Sequence, residues 1–347
     1  MTTSSAAHSL AITGASGFVG SHLVPALSGA GIERIVGLDV RDPTRAAPGV
    51  EHHLVDVTSR DIAVWLSGVD TVVHLAAIVD PVPDESLMAR ANVEGTRRML
   101  EAAARTGVRK IVRVSTVAAY GAWASNPVPL TEDAPLRPNP GFSPAIYAAE
   151  AERLLFEWQR EHPDVCVTVL RAAPVLGAGA QHLWARVLAG WRRPRIRGEG
   201  APVQVVHVED LVSALALVVQ ADHPGVFDVA APGWLGVDEV RTLLRRGVLP
   251  ALPVEVMRRV LARSWQAGVG DMPPAILPYL MHPWIVATDR LEAFGWSAVH
   301  TNEETLLETH DALAHVASLS RPAVVAAVGT AAVGVAGGIA FRRLLRD

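Results

Sequence analysis

Three glycines near the start of the chain, spaced three residues apart, constrain the fold more than any other feature. An apolar run from Leu10 to Ile12 precedes Gly14, Gly17 and Gly20 follow, and a helical pattern begins at Phe18. Gly14 permits a tight turn after a strand, and Gly20 lets the next helix pack closely against that strand. The pattern therefore predicts a strand, a turn and a helix in direct succession.

This loop also has the features of a dinucleotide site. Gly17 has no side chain, so the backbone can approach a pyrophosphate, and the helix N-terminus presents free N–H groups and a partial positive charge to phosphate oxygens. The position between a strand and a helix disfavours the alternative, an ordinary glycine turn. The residues of the loop predicted to hold the cofactor are Gly14, Ser16, Gly17, Phe18, Val19 and Gly20.

Composition narrows the class of protein. The chain has 347 residues, one cysteine and a net charge of −4, which suits one large domain or two moderate ones. The basic residues form no long tract, so we expect no nucleic-acid partner. Residues 1–8 lack the basic and apolar regions of a signal peptide, and Cys166 has no disulfide partner, so we expect a cytoplasmic protein. We expect no bound metal ion.

Strand-like and helix-like runs alternate through residue 230, which predicts an α/β protein with a doubly wound parallel sheet. We expect a dinucleotide-binding domain at 1–174 and 203–230, a smaller, mostly helical cap at 175–202 and 231–318, and a hydrophobic C-terminal helix at 319–347. The predicted strands are 9–13, 34–38, 70–75, 109–115, 165–171, 203–207 and 226–229, and the predicted helices are 18–29, 59–67, 85–106, 144–161 and 209–220.

Acidic residues after the second and third apolar runs suggest how the two ends of the cofactor are recognised. Asp39 follows the glycines by about 20 residues, where a carboxylate accepts hydrogen bonds from ribose hydroxyls and repels a 2′-phosphate, so NAD is favoured over NADP. Arg41, two residues later, is the feature that would reverse this preference. Asp56 is predicted to bind the adenine amino group, and its alternative role is the N-cap of helix 59–67. His74 is predicted to be a core histidine rather than a catalyst.

A series of motifs, in order, resembles the extended short-chain dehydrogenase/reductases, the NAD-dependent epimerase/dehydratase group, over roughly residues 9–312. The resemblance implies a Rossmann fold and adds further cofactor-binding residues: Val57, Leu75, Ala76, Ala77, Asn92, Ser115 and Pro174. The motifs are residues 13–20 (TGASGFVG), 56–57 (DV), 74–77 (HLAA), 92–96 (NVEGT), 114–116 (VST), 120–121 (YG), 170–171 (LR) with Gly177, 207–210 (HVED) and 287–296.

The catalytic motif of this family does not appear in the chain. The resemblance implies a Tyr, a Lys four residues later and a Ser or Thr, which together take the proton of a substrate hydroxyl. Thr116 matches the Ser/Thr position, but the best register places Phe142 at the Tyr position and Ile146 at the Lys position. If Tyr147 is the Tyr instead, the Lys position is Ala151. No register succeeds, because the only lysine, Lys110, precedes Thr116.

The absence of the Tyr–Lys motif leaves three interpretations open. In the first, the protein binds a dinucleotide without the standard hydride chemistry and is a sensor, scaffold or assembly subunit. In the second, it is an epimerase, dehydratase or dehydrogenase in which Tyr147, Glu150 or His207 works with Thr116 as a rebuilt acid/base group. The third is an accessory subunit of a membrane complex, with NAD as a stabiliser.

Basic residues mark the side on which a substrate would bind. Arg192, Arg193 and Arg195 lie beside Trp191, where the resemblance implies a nucleotide diphosphate, and forked guanidinium groups suit phosphate oxygens. A solvated basic loop and contact with anionic lipid headgroups are the alternatives. His207 belongs to one of the family motifs and is a further candidate for the substrate side. The predicted ligand is a small hydroxylated molecule such as a nucleotide-sugar, or there is none.

The end of the chain differs in kind from the rest. Residues 322–341 contain no charge, and Gly334 and Gly338 form a G-x-x-x-G pair suited to close helix contact. We expect association with the inner face of the cytoplasmic membrane, by insertion or at its surface, or docking on a membrane-protein partner. The Ala-, Gly- and Val-rich composition and the arginines after the run disfavour simple insertion. By analogy with the family, we also expect a homodimer through helices 85–106 and 144–161.

Overall fold

A seven-stranded parallel sheet forms the centre of the molecule. The structure is a computed structural model that describes residues 8–43, 47–58, 62–190, 195–198, 200–245 and 251–319. The sheet has the order β3-β2-β1-β4-β5-β6-β10, with β4 at its middle. Its strands are β1 (Ser9–Thr13), β2 (Arg34–Asp39), β3 (Val50–Leu54), β4 (Thr71–His74), β5 (Lys110–Thr116), β6 (Cys166–Ala172) and β10 (Gly225–Val229).

Two small parallel pairs accompany the main sheet. They join β7 (Val175–Leu176) to β9 (Val206–His207) and β8 (Arg195–Ile196) to β11 (Ala251–Leu252). The helices are α1 (Phe18–Ser28), α2 (Ala63–Leu66), α3 (Glu85–Ala89), α4 (Gly95–Thr106), α5 (Ser143–Glu161), α6 (Leu183–Leu188), α7 (Val208–Gln220), α8 (Val237–Leu243), α9 (Val254–Gln266), α10 (Leu277–Met281), α11 (Asp289–Glu292) and α12 (Asn302–Leu319).

Apart from the edge strand β3, the strands of the main sheet are largely buried on both faces, as continuous apolar runs predict. Along β1, Leu10 and Ile12 point into one core, which α1 and α7 cover, and Ala11 points into the other, which α4 and α5 cover. Each of these three side chains has no exposed surface. The predicted α/β class with a doubly wound parallel sheet is therefore confirmed. All carboxyl ends of these strands meet at one edge, where α/β sheets bind ligands.

Three elements differ from the sequence prediction. β3 was not predicted, because its residues VEHHL lie at the sheet edge, are partly exposed and carry no apolar signal. The predicted strand 203–207 is reduced to β9, which pairs with β7 outside the main sheet. The predicted helix 85–106 is interrupted by a π-helical turn at Arg90–Glu94 between α3 and α4.

Several sequence predictions fall on residues that the structure does not describe. These are the hydrophobic segment 322–341 and the arginines Arg192 and Arg193. Among the described residues, no helix is both long enough and apolar enough to cross a membrane. The proposed domain boundaries remain predictions.

Candidate functional site

The glycine loop between β1 and α1 can be built only from glycine at two of its positions. Gly14 donates its N–H to Leu38 O at 2.7 Å and has a φ of +74°. A Cβ atom on Gly14 would lie 2.8 Å from Ala76 N, and one on Gly20 would lie 2.6 Å from Ala15 O. The loop thus lies directly against the backbone after β4, at the carboxyl edge of the sheet. This close approach fits the cradle that a dinucleotide pyrophosphate requires.

Asp39 ends β2 beside this loop. Its carboxylate accepts the backbone N–H of Ser16 and of Arg41, each at 3.0 Å. The Arg41 side chain is 70% exposed, and its Nε lies 3.8 Å from the Asp39 carboxylate. A fixed negative charge therefore stands at the position predicted for the ribose hydroxyls, which favours NAD over a 2′-phosphorylated cofactor.

Asp56 and Val57 follow β3 at the same edge. Asp56 is exposed and accepts hydrogen bonds from the N–H and the hydroxyl of Thr58, each at 2.9 Å. Ile62 is the N-cap of α2, so the alternative role of Asp56 as that cap is not the one observed. Val57 is buried, and a Cβ on Gly95 would lie 2.8 Å from its Cγ2. Asp56 thus remains open to a ligand, whereas Val57 packs against α4.

Asn92 fixes the segment that follows β4. It lies buried in the π-helical turn, where its Oδ1 accepts the N–H of Ile78 at 2.7 Å and its Nδ2 donates to Ile78 O at 2.9 Å. This pair of bonds holds the predicted cofactor residues Leu75, Ala76 and Ala77 beside the glycine loop. Asn92 is therefore placed to position the cofactor-binding backbone, and π-turns are frequent at such functional positions.

His74 is a core histidine, as predicted. Its ring nitrogens lie 2.7 Å from the Thr13 hydroxyl and 3.1 Å from the Thr96 hydroxyl. Burial, reinforced by the charge of Arg113, lowers the pKa of His74 to about 3. The ring is therefore neutral near pH 7 and belongs to a buried polar chain between β1, β4 and α4.

The end of β5 carries Ser115 and Thr116. Thr116 is half-buried, and its hydroxyl accepts the N–H of Ala118 at 3.2 Å, which caps the short 3₁₀ helix at Val117–Tyr120. Ser115 donates its hydroxyl to the buried carboxylate of Glu152 on α5. Thr116 is thus oriented by the local turn, whereas the Ser115 hydroxyl is bonded to protein.

The start of α5 contains the residues aligned with the family's Tyr–Lys motif. Phe142 is buried at the N-cap and packs against Tyr279 with a ring-centroid distance of 4.8 Å. Ile146 and Tyr147 are half-buried. Burial, with smaller effects of the Glu85 and Glu150 carboxylates, raises the pKa of Tyr147. This shift is opposite in direction to the one that a neighbouring lysine would cause.

The buried glutamate of α5 is Glu152, not Glu150. It accepts hydrogen bonds from Arg171 Nε at 3.0 Å and Nη2 at 2.8 Å. If Glu152 takes the place of the Glu in the pattern Tyr-x-x-x-Lys-x-x-x-Glu, the Lys position is Ala148 and the Tyr position is Pro144. This placement, like the one predicted on Glu150, therefore has neither a Tyr nor a Lys at the motif positions.

Arg171 also joins Glu152 to a second buried carboxylate. Its Nη1 donates to the Tyr120 hydroxyl at 2.8 Å, and that hydroxyl contacts both carboxylate oxygens of Asp228 at 3.0 Å. Burial raises the pKa of Asp228 well above its ordinary value, and the nearby Glu132 adds to this effect. The sequence analysis missed Glu152 and Asp228. For Glu152, a polar residue on the otherwise apolar face of α5 is the signal that helical periodicity provides.

Lys110 lies at the opposite end of β5 from Thr116. Its Nζ donates to Ala221 O at 2.7 Å and Val219 O at 3.2 Å, and it lies 2.9 Å from Asp222 Oδ1. The side chain is 4% exposed. Because a strand rises about 3.3 Å per residue, the six-residue separation amounts to roughly 20 Å. Lys110 therefore closes the C-terminal end of α7 and does not reach the candidate site.

His207 and Arg195 lie among the cap elements. His207 Nδ1 accepts the Glu209 N–H at 3.2 Å, and its Nε2 lies 3.2 Å from Glu308 Oε2 on α12. Its ring also stacks on that of His300 at 3.9 Å. Arg195 Nη2 lies 3.9 Å from Asp238 Oδ1. The contacts of His207 in the described part of the chain thus hold α7 and α12 together.

The segment around β7 is tied to α12 as well. Pro174 O accepts the N–H of Val206 at 3.1 Å, which joins the predicted cofactor residue to β9. Gly177 N–H donates to the Thr309 hydroxyl at 2.9 Å, and Ala178 N–H donates to Glu308 at 2.8 Å. The loop after β7 is therefore fixed by two side chains of α12.

Comparisons with known proteins identify the family. Residues 10–230 match the profile described as NAD dependent epimerase/dehydratase family. The uncharacterized protein Rv0501 of Mycobacterium tuberculosis is 30% identical over 251 residues, which cover 69% of this chain and 66% of that protein, just under two thirds. The 3-diazoavenalumate denitrifying reductase of a Streptomyces species is 32% identical over 235 residues, 63% of this chain and 74% of the reductase.

Solved structures agree with the fold. MoeE5 in complex with UDP-glucuronic acid and NAD has a TM-score of 0.71 at 23% identity, covering 89% of this chain and 99% of that chain. DesIV, a dTDP-glucose 4,6-dehydratase from Streptomyces venezuelae, has a TM-score of 0.71 at 22% identity, covering 90% and 99%. The chain therefore belongs to the NAD-dependent epimerase/dehydratase family, as its motifs predict.

Proposed function

We propose that this protein binds NAD(H) but lacks the Tyr–Lys hydride chemistry of its family, and that it acts as a sensor, scaffold or assembly subunit. The observation that carries the proposal is the position of Lys110. It is the only lysine in the sequence, and three oxygen atoms at the far end of β5 hold it. No other residue of the chain has the ammonium group that lowers the pKa of a catalytic tyrosine.

The features that bind NAD are retained. The glycine loop, the Asp39 carboxylate and the backbone that Asn92 fixes provide the pyrophosphate and ribose contacts. When bound, NAD⁺ supplies a hydride acceptor. Oxidation of a hydroxyl group also releases a proton, which requires a base beside the reacting carbon. On this proposal, the protein keeps the cofactor-binding loop and carboxylate but lacks such a base.

Two of the three candidate replacement bases, Tyr147 and His207, are poorly suited to the role. The raised pKa of Tyr147 disfavours its phenolate form. His207 contacts Glu308 and His300 among the cap helices. Thr116, the third member of the site, has a hydroxyl that is neutral at ordinary pH and serves to orient a substrate. These observations weigh against the alternative of an epimerase or dehydratase with a rebuilt acid/base group.

A second candidate function is a reductase whose substrate needs no proton from the protein. One relative, 32% identical, is a 3-diazoavenalumate denitrifying reductase. An aryl diazonium group is already electrophilic. In such a reaction NADH would donate a hydride to form a C–H bond, the C–N bond would break, N₂ would leave and NAD⁺ would remain, so no proton is needed and the Tyr–Lys pair is dispensable. This candidate keeps the NAD(H) cradle and Thr116 as substrate-orienting residue, with Tyr147 outside the chemistry.

Calorimetric titration with NAD⁺ and NADH, followed by absorbance measurements at the nicotinamide band, distinguishes these functions. Binding without turnover of sugar nucleotides, unchanged in Tyr147→Phe, supports the main proposal. Turnover that Tyr147→Phe abolishes contradicts it and supports the rebuilt acid/base group. Oxidation of NADH by an aryl diazo compound, insensitive to Tyr147→Phe, supports the reductase.

Membrane association through residues 322–341 is a separate part of the proposal. The uncharged run and the flanking arginines support contact with the inner face of the membrane or with a membrane-protein partner. We expect deletion of residues 321–347 to release the protein from the membrane fraction. Recovery of the full-length chain entirely in the soluble fraction would contradict this expectation.

A further inference from the structure

Two histidines and a glutamate lie together where the start of α7 meets the segment that leads into α12. His207, Glu209 and His300 each offer a ring nitrogen or a carboxylate oxygen, and these three atoms lie within 4.8 Å of one another. The rings of His207 and His300 are stacked, with a centroid distance of 3.9 Å. Imidazole nitrogen and carboxylate oxygen are the ligands that Zn²⁺ takes in proteins beside thiolate. The three residues therefore form a set of potential metal ligands.

The hydrogen bonds of His207 determine which of its ring nitrogens carries the lone pair. Nδ1 accepts the backbone N–H of Glu209 at 3.2 Å, so this nitrogen is unprotonated. Nε2 lies 3.2 Å from Glu308 Oε2, and it carries the hydrogen because an ionised carboxylate can only accept. A histidine that binds a metal through one nitrogen commonly donates its other N–H to a carboxylate. His207 thus has the arrangement of a metal ligand, with Nδ1 as the ligating atom.

His300 has the same arrangement with the two nitrogens exchanged. Its Nδ1 lies 3.1 Å from Asp210 Oδ2, which also accepts the backbone N–H of His300 at 3.0 Å. Asp210 is 3% exposed, and its other oxygen accepts the N–H of Val299 at 2.9 Å. This carboxylate therefore orients the ring and places the lone pair of the neutral imidazole on Nε2. That Nε2 lies 3.8 Å from Glu209 Oε2.

These contacts bring lone pairs from three groups to one small volume. His300 Nε2 and the Glu209 carboxylate are both acceptors, so their approach is unfavourable unless a cation lies between them. A proton on His300 relieves that pair only, and it leaves the lone pair of His207 Nδ1 with one long bond to a backbone N–H. A metal ion accepts all three lone pairs. The charges of Glu209, Asp210 and Glu308 also exceed the partial positive charge at the start of α7, so a cation is favoured there.

We propose that His207 Nδ1, His300 Nε2 and the Glu209 carboxylate bind a transition-metal dication of the Zn²⁺ class. Glu308 and Asp210 orient the two imidazoles. Metal–ligand bonds of about 2.0–2.2 Å place the ligand atoms roughly 3.3 Å apart, so the observed separations must contract slightly. The Glu209 side chain is 68% exposed and can supply this movement. Two nitrogen ligands select Zn²⁺, Co²⁺ or Ni²⁺ over Mg²⁺ and Ca²⁺, which prefer oxygen.

The metal would join elements that are distant in the sequence. His207 and Glu209 belong to β9 and α7, His300 precedes α12, and Glu308 lies on α12. Because the folded chain alone assembles these ligands, bound metal should stabilise the folded state. The sequence predicted no metal ion, since residues so far apart form no recognisable ligand spacing. The site is independent of the proposed NAD(H) function and adds a second ligand to the protein.

Calorimetric titration of the untagged, EDTA-treated full chain with Zn²⁺ tests the proposal, with Mg²⁺ as the comparison cation. Co²⁺ is a second probe, because its visible absorption changes when nitrogen ligands replace water. Glu209→Gln and His300→Gln each remove one ligand. Glu303→Gln is the control for the first, since Glu303 is exposed in the first turn of α12. His162→Gln is the control for the second, since His162 lies at the C-terminal end of α5.

We expect the wild type and both controls to bind one Zn²⁺ per chain and to melt at a higher temperature when it is bound. Glu209→Gln and His300→Gln should each weaken Zn²⁺ binding at least about 10-fold, the smallest loss typical even for a group that only orients a ligand. Both should also lose most of the rise in melting temperature. If His300→Gln fails to fold, Glu209→Gln decides the matter, because it changes an exposed side chain.

Several results would overturn the proposal. They are no Zn²⁺ binding to the wild type, unchanged Zn²⁺ affinity in either ligand variant, and Mg²⁺ binding as tight as that of Zn²⁺. A Co²⁺ spectrum identical to that of the hydrated ion, or an equal loss of Zn²⁺ affinity in a control variant, would also contradict it. NAD⁺ affinity is measured in parallel and should be equal in all variants. Failure of NAD⁺ to bind the wild type would contradict the proposed function and leave the metal measurements interpretable.

Discussion

Replacing Lys110 by methionine tests whether the only lysine is structural or catalytic. The substitution removes the buried ammonium group and leaves the carbonyl oxygens of Val219 and Ala221, at the end of α7, without their donor. Each hydrogen bond from a charged donor contributes about 1.5–3 kcal/mol, and part of this is regained by the apolar methionine, so we expect a loss of about 2–4 kcal/mol. The ion pair with Asp222, which is 48% exposed, adds little, at most about 1 kcal/mol.

Denaturant unfolding of the two proteins measures this loss, and calorimetry measures NAD⁺ affinity under the same conditions. Arg109→Met is the control, because it removes a neighbouring cation that is 61% exposed and forms a long ion pair with Asp70, at 3.9 Å. The loss of unfolding free energy in this control should stay below about 1 kcal/mol. NAD⁺ affinity should be equal in all three proteins. A Lys110→Met protein with unchanged stability and lost cofactor binding or turnover would refute the structural role.

Three further predictions concern the cofactor loop and the buried carboxylates. Gly14→Ala should lower NAD⁺ affinity strongly, because its Cβ would lie 2.8 Å from Ala76 N. Gly31→Ala, at a similar φ of +78° but in open space, should leave the affinity unchanged. Equal losses of affinity in the two variants would contradict the role of the glycine loop in binding the cofactor. Asp39→Ser should shift the preference between NAD and NADP toward NADP by roughly tenfold or more, measured by paired titrations. The pKa of Asp228 is raised in the folded state, so the stability of the wild type should fall as the pH rises above the ordinary pKa of Asp, near 3.8. In unfolding titrations, Asp228→Asn should show a shallower decline of stability between pH 4 and the raised pKa of Asp228.

The sequence predicts those parts of the fold that local residues determine. The turn at Gly14 and the packing at Gly20 involve residues within one short stretch, so the β1–loop–α1 unit was predicted with nearly its observed bounds. β3 was missed because an edge strand with partly exposed polar residues lacks the apolar run that marks the other strands. Strand prediction from apolar runs thus works best where burial on both faces makes most of the side chains apolar.

Which glutamate of α5 is buried could not be read from the sequence alone. It depends on Glu152 meeting Ser115, 37 positions earlier, and Arg171, 19 positions later. Two glutamates two residues apart satisfy the sequence pattern about equally, and only the three-dimensional contacts distinguish them.

The bonds between α12 and the loop after β7 have a mechanical consequence. Gly177 and Ala178 donate to Thr309 and Glu308, and this loop begins three residues after Pro174, on the side predicted to bind the cofactor. The chain runs directly from α12 into residues 320–347. A load applied to that terminal segment would therefore reach the loop after β7 through these two hydrogen bonds and would reach β9 through the contact between Glu308 and His207.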